Sequence, residues 1–256
     1  MKFKPAATAK NLAYIAVMTA LLLGGQFALS FVAGVEVVTV LLLCFSAYFG
    51  VITGVATAVC FCTLRCLIWG FMPNVVLLYF IYYPLFAALF GLLGKIKNES
   101  FDKAKIRLAI VVNALLLAIF SAALCCALFD VIRISRLYKA TVKAFLYAVA
   151  GVCGGLLIAF NVFYALVRGK VLKSGKPLRI FLYTAVAALC TICFTLLDDV
   201  ISPLIVGMDK LTALTYFYAS FTAMLPQVIC TVATVSTLYL PLTFALTKAC
   251  PEPKSD

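Results

Sequence analysis

Long apolar runs follow one another along the whole chain, separated by short polar or glycine-containing segments. Most runs reach the length, about 18 residues or more, that a helix needs to cross a bilayer. They predict eight helical spans, at residues 11–33, 36–50, 51–70, 75–94, 108–132, 144–167, 180–206 and 221–247. A tight corner at Gly50 and Gly54 follows the short second helix, and an amphipathic connection at 209–220 precedes the last span.

The composition agrees with this pattern. Hydrophobic residues make up 66% of the 256 residues and the mean hydropathy is +1.16, whereas a soluble domain is about 45–50% apolar. We therefore predict an all-α fold, a polytopic membrane helix bundle that forms a single integral-membrane domain over residues 1–256. The first apolar run lacks a small-residue cleavage site and more spans follow it, so we expect it to be retained rather than removed as a signal peptide.

The net charge of +12 comes from basic residues between the apolar runs, a distribution typical of topogenic loop charge and not of a nucleic-acid patch. The N-terminus, the loops 95–107 and 168–179 and the C-terminus fall on one side if eight spans cross, and we expect that side to be cytoplasmic. A basic segment at 133–143 would then face outward. It either steers an anionic solute or forms an interfacial helix against lipid headgroups.

Cysteine and histidine usage limits the chemistry. Most of the eleven cysteines lie within predicted spans, without structural zinc spacing, and the chain has no histidine. We interpret the cysteines as small packing residues and expect no metal site, no cofactor and no catalytic triad. The adjacent carboxylates Asp198 and Asp199 alone would make a weak metal site, so we do not expect an enzyme.

Ionisable side chains within the spans mark the candidate site, because a charge costs roughly 2.5–3.5 kcal/mol at a bilayer centre. All five lie in the outer half of the predicted bundle: Glu36, Arg65, Asp130, Asp198 and Asp199. This one-sided distribution predicts a solute-binding pocket open to the exterior. Its candidate residues are Glu36, Arg65, Asn74, Asp198, Asp199 and Gln227, with Gln26 and Thr195 as polar neighbours and aromatic walls from Trp69, Tyr79, Tyr82, Tyr83, Tyr216 and Tyr218.

Alternatives exist for the charged residues. Arg65 either lines the pocket or pairs with Asp198 or Glu36 as a structural salt bridge, although desolvation offsets much of the attraction in such a pair. Adjacent residues point about 100° apart around a helix, so only one of Asp198 and Asp199 is expected to face the solute. Pro203 leaves the Asp199 carbonyl without its helical donor, which predicts a kinked or frayed helix end.

The opening "AYIAVMTALLLGGQFALSF", the following "GVEVVTVLLLCFSAYFGVITGV" and the C-terminal "LLDDVISPLIVG" through "PQVICTVATVSTLYLPL" resemble the substrate-binding S component of energy-coupling factor (ECF) vitamin transporters. Ala16 and Ala20 match the Ala-x-x-x-Ala motif of that family's first helix. The resemblance implies a six-helix core, with helices 1–4 at 11–97 and helices 5–6 at 178–248. The segment 106–169 is then a two-helix insertion.

The resemblance also implies a function. Such a subunit captures a small vitamin-like micronutrient outside the bacterial plasma membrane. It docks through the Ala16 and Ala20 face onto a transmembrane coupling subunit that two ABC-type ATPases drive. The chain has no phosphate-loop motif of its own. A stand-alone secondary transporter or channel is the alternative. The charge of the solute stays open. The arginine and carboxylates within the spans suit a polar amine or a polyol, whereas the basic segment at 133–143 favours an anion.

Overall fold

The computed structural model describes residues 9–32, 37–95, 103–129, 136–168 and 176–250. These residues form eight helices and, within the described ranges, no strands. The helices are α1 (Ala9–Leu29), α2 (Val38–Phe49), α3 (Val51–Trp69), α4 (Pro73–Gly94), α5 (Lys103–Leu128), α6 (Arg136–Arg168), α7 (Lys176–Val206) and α8 (Lys210–Ala249). The prediction of an all-helical chain is confirmed.

Seven of the described helices are long and apolar enough to cross a membrane. The exception is α2, whose 12 residues rise about 18 Å, well short of the roughly 30 Å hydrocarbon core. The count of eight spans is therefore not confirmed, since seven of the described helices reach spanning length and α2 does not. The cytoplasmic placement of both termini assumed an even number of crossings and stays a prediction, as does the six-plus-two arrangement.

The described chain divides into two compact units. The first contains α1 to α4, the segment Leu196–Met208 and the chain from Thr237 onward. The second contains α5, α6, the part of α7 up to Thr195, and the segment Asp209–Ser236.

In the first unit, α2 and α3 meet at the predicted glycine corner. Gly50 separates them with a φ of +88°, a left-handed conformation that a side chain would strain. The Gly50 N–H donates to the Ser46 carbonyl and ends α2. Because the corner takes a single residue, α2 and α3 pack directly against one another and both contact α4.

The C-terminal end of α8 belongs to the same unit as α2. The Tyr48 hydroxyl donates a hydrogen bond of 2.6 Å to the carbonyl of Cys250, which is 202 positions later in the chain. A residue near the end of α2 therefore donates to a carbonyl just beyond the end of α8.

Helices α5 and α6 pack closely in the second unit. The Asn161 amide donates to the Asn113 side-chain oxygen at 2.7 Å, and the ring of Phe120 fits beside Gly154. Thr191 and Thr231 share a buried hydrogen bond of 3.0 Å between α7 and α8. Of the predicted outward basic segment, Lys139 and Lys143 lie in the first turns of α6, while Arg133 lies outside the described residues.

The predicted connection at 209–220 is wrong as a separate element, because α8 runs without interruption from Lys210 for 40 residues. Asp209 caps its start: one carboxylate oxygen accepts from the Leu211 N–H at 3.2 Å, and the other accepts from the Thr212 hydroxyl. An aspartate at this position satisfies backbone donors that have no helical partner. A capped first turn explains why these residues continue the helix.

We expect the start of α8 to loosen in acid. The Thr212 hydroxyl and the backbone donors lower the pKa of Asp209 below its ordinary value of 3.8. A lowered folded-state pKa contributes stability at higher pH, and this stability is lost as the pH falls through the folded value. Amide hydrogen exchange at Leu211 should therefore accelerate below pH 3.8 relative to Asp209→Asn, which accepts the same bonds without titrating. Equal acid dependence in both chains would contradict this assignment.

Candidate solute-binding site

Arg65 lies in the last turns of α3 with its guanidinium against aromatic rings. Its Cζ is 4.2 Å from the ring centroid of Tyr79 on α4 and 6.0 Å from that of Trp69. Trp69 follows Arg65 by four residues, which places both on one helix face. The electron-rich faces of such rings attract a cation.

Tyr79 is the centre of this group of side chains. The Gln26 amide on α1 donates to the Tyr79 hydroxyl at 3.5 Å, and the Cys62 thiol donates to the Tyr79 carbonyl at 3.3 Å. Trp69 also lies 6.2 Å from the ring of Phe27. We call Gln26, Arg65, Trp69 and Tyr79 the Tyr79 cluster; it joins α1, α3 and α4.

Two polar atoms of the Tyr79 cluster have unused hydrogen-bonding capacity. The Gln26 Oε1 and the Arg65 Nε are buried and have no hydrogen-bond partner in the described part of the chain. Turning the Gln26 amide over would exchange its oxygen for its nitrogen, so one of the two atoms remains unsatisfied either way. Leaving a buried polar group unsatisfied costs about 1–3 kcal/mol, and more for a charged one. A functional role is one of the reasons for which a folded protein retains such groups.

A second set of polar side chains lies near the first residues of α4, before Tyr79 in the chain. Asn74 donates to the Ser202 hydroxyl at 3.0 Å, and Ser202 in turn donates to the Asp198 carboxylate at 2.6 Å. Ser202 is only 1% exposed, so its hydroxyl is used fully within the protein. We call Asn74, Ser202 and Asp198 the Ser202 link; it ties the start of α4 to α7. Asn74 and Tyr79 are five residues apart, about 7.5 Å along the helix.

The helix around Asp198 is intact. Pro203 lies inside α7, which continues to Val206, and the Met208 N–H donates to the Pro203 carbonyl. The predicted fraying at Pro203 is therefore wrong, and the alternative, a kink at this position, stays a prediction. Ser202 donates its hydroxyl to the carboxylate one turn earlier, and the helix ends at Gly207 with a φ of +72°.

The structure brings some predicted site residues together. Asn74 and Asp198 meet through Ser202, and Arg65 lies in the same unit among aromatic side chains. Asp199 is half-buried on α7. Gln227 is half-buried on α8 in the second unit. Glu36 and Asp130 lie outside the described residues, so the alternative pairing of Arg65 with Glu36 stays a prediction.

Three residues of these groups were absent from the predicted binding set. Gln26 was expected only as a polar neighbour and Tyr79 only as an aromatic wall, whereas their shared contact makes them central. Ser202 was missed, although it follows Asp198 by four residues, the spacing at which helical side chains meet.

The cysteines are free thiols throughout the chain, and Cys44, Cys62, Cys66 and Cys153 are buried. Among the residues that the structure describes, no three histidine, cysteine, aspartate or glutamate side chains come together as metal ligands would. The polar and aromatic groups above therefore make up the candidate site.

The first unit thus combines a stacked guanidinium, an amide with an unsatisfied atom and several half-buried rings within a largely apolar helical bundle. No protein-family model, no curated protein and no solved structure matches this chain.

Proposed function

We propose that this chain is the substrate-binding membrane subunit of an ATP-driven importer of the ECF type, and that it captures a small vitamin-like solute. The observation that carries the proposal is the Tyr79 cluster. Its buried Arg65 Nε and Gln26 Oε1 lack hydrogen-bond partners in the described chain, next to aromatic rings that offer flat apolar walls. A small-molecule site commonly combines apolar walls with a few convergent polar groups.

The surface of α1 supports docking onto a coupling subunit. Ala16 and Ala20 are both exposed, four residues apart on one face of the helix. Small residues at this spacing let a second membrane helix approach closely. A Cβ at Gly24, one further turn along, would meet nothing within 4 Å, so the same face stays open toward the end of the helix.

Energy for transport then comes from other polypeptides. The chain carries no phosphate-loop sequence, and in this proposal two ABC-type ATPases act through the coupling subunit. The chain itself is a binding protein and not an enzyme. It resides in the bacterial plasma membrane with both termini in the cytoplasm.

Replacing Ala16 and Ala20 together by leucine should abolish co-purification of the ATPase subunits. Two leucine side chains would fill the face on which the partner helix is expected to lie. The measurement is affinity purification of the tagged chain from its native membrane, followed by identification of the retained proteins.

The matched control is the same double substitution at Ala114 and Ala118. These alanines are also exposed and four residues apart, but they lie on α5. We expect this variant to keep the ATPase subunits. Equal retention by both variants would contradict the docking face, and solute transport by the purified chain alone in liposomes would favour a secondary transporter.

A further inference from the structure

The charge of the solute follows from how the two polar groups of the first unit are satisfied. The Asp198 carboxylate already accepts the Ser202 hydroxyl, and that hydroxyl also serves Asn74. The Arg65 guanidinium instead lies against the rings of Tyr79 and Trp69, which attract a cation without neutralising it. Within the Tyr79 cluster, the Arg65 Nε is therefore a buried cationic donor that still lacks a hydrogen-bond partner in the described ranges.

A second arginine–tyrosine pair in the chain can be compared with Arg65 and Tyr79. Arg179 on α7 also stacks on a tyrosine, with its Cζ 5.1 Å from the Tyr183 ring. Arg179, however, donates from Nη2 to the Tyr183 hydroxyl at 3.1 Å. The Tyr79 hydroxyl instead accepts from Gln26, and the Arg65 Nε has no partner in the described ranges. The same pair of residue types is thus internally satisfied at one place and incomplete at the other.

We infer that the solute carries an anionic oxygen group, a carboxylate or phosphate, that binds Arg65, and a second polar group that binds Gln26. This inference rests on the proposed function and adds the charge of its substrate. The Nε and one Nη of a guanidinium form a planar edge with two parallel donors, which matches the two oxygens of such an anion. Because the Arg65 Nε is buried, presenting that edge to a solute requires the guanidinium to turn on the Tyr79 ring.

The Gln26 amide supplies the second contact. Its unsatisfied atom lies on the hydroxyl side of Tyr79, while Arg65 lies over the ring. A solute that reaches both therefore has its anion and its second polar group separated by about the length of a tyrosine ring. This spacing favours a compact polar molecule over a long-chain lipid.

The test is to purify the tagged chain in detergent from cells grown in rich medium and to identify its bound molecules by mass spectrometry. We expect a water-soluble molecule that is negatively charged at neutral pH. Arg65→Gln should retain it about tenfold less or lower, as expected for loss of a charge-assisted hydrogen bond. Arg179→Gln, the matched control, should retain it fully. Arg65→Lys keeps the charge without the planar edge and should give an intermediate loss.

Each other outcome has a definite meaning. A neutral or cationic molecule would overturn the inference and leave the proposed function standing. An anionic phospholipid that is lost with Arg65 would assign the site to the membrane and overturn the inference too. If the chain retains no water-soluble molecule, the proposed function fails as well. Thermal unfolding of Arg65→Gln separates binding from folding: a lost solute with an unfolding temperature like that of Arg179→Gln places the effect at the binding site.

Discussion

Replacing Gly94 by alanine should destabilise the first unit more than any other single methyl group added to it. A Cβ at Gly94 would collide with the carbonyl oxygen of Ala47 on α2 and lie 2.7 Å from the carbonyl carbon. Both atoms belong to a helix backbone, so no side-chain rotation relieves the contact and α4 must move away from α2. Overpacking of this kind costs about 3 kcal/mol or more.

Gly155→Ala on α6 is the matched control, because a Cβ there would meet nothing within 4 Å and alanine favours a helix over glycine. Both variants add one methyl group to a helical glycine in an apolar chain. Unfolding in mixed micelles should show a clear loss of stability for Gly94→Ala and none for Gly155→Ala. Similar stability in the two variants would contradict the close approach of α4 to α2.

Replacing Ser202 by alanine should have the second largest effect on stability. The hydroxyl accepts from Asn74 and donates to Asp198 at the same time, so its removal deprives a donor and a carboxylate together. Losing buried hydrogen bonds of this kind costs about 2 kcal/mol. We expect lower resistance to denaturant and faster amide exchange at the start of α4.

The control for this second prediction is Ser236→Ala. Ser236 is half-buried, and its hydroxyl donates to the Ala233 carbonyl of its own helix at 3.1 Å in a solvent-exposed hydrogen bond. The two substitutions remove the same atom in the same residue type. If Ser202→Ala unfolds at the same denaturant concentration as Ser236→Ala, then the Ser202 link does not hold α4 to α7.

Local patterns predicted the helices well, because apolar runs of the right length leave the backbone little choice in an apolar medium. The Gly50 corner was predictable for the same local reason. The connection before α8 was not, because a single side chain, Asp209, caps the helix there and decides where it begins. The capping role of Asp209 follows from its contacts with Leu211 and Thr212, which are known only from the structure.

The types of residue in the candidate site could be predicted from the sequence, but most of the contacts between their side chains could not. Charges in apolar runs pointed to Arg65 and Asp198, and the four-residue spacings to Trp69 and Ser202 are readable from the chain. The contact between Asn74 and Ser202 joins positions 128 apart, and that between Gln26 and Tyr79 joins positions 53 apart. Such pairings depend on how the helices pack, which apolar periodicity does not specify.

The bond between Tyr48 and Cys250 has a consequence for biogenesis. The first four helices leave the ribosome long before residues 196–208 and 237–250, yet these late segments complete the same compact unit. Until they arrive, the Tyr48 hydroxyl and the Asn74 amide lack the acceptors that they have in the finished protein. The first unit is therefore complete only after residues 196–208 and 237–250 have been synthesised.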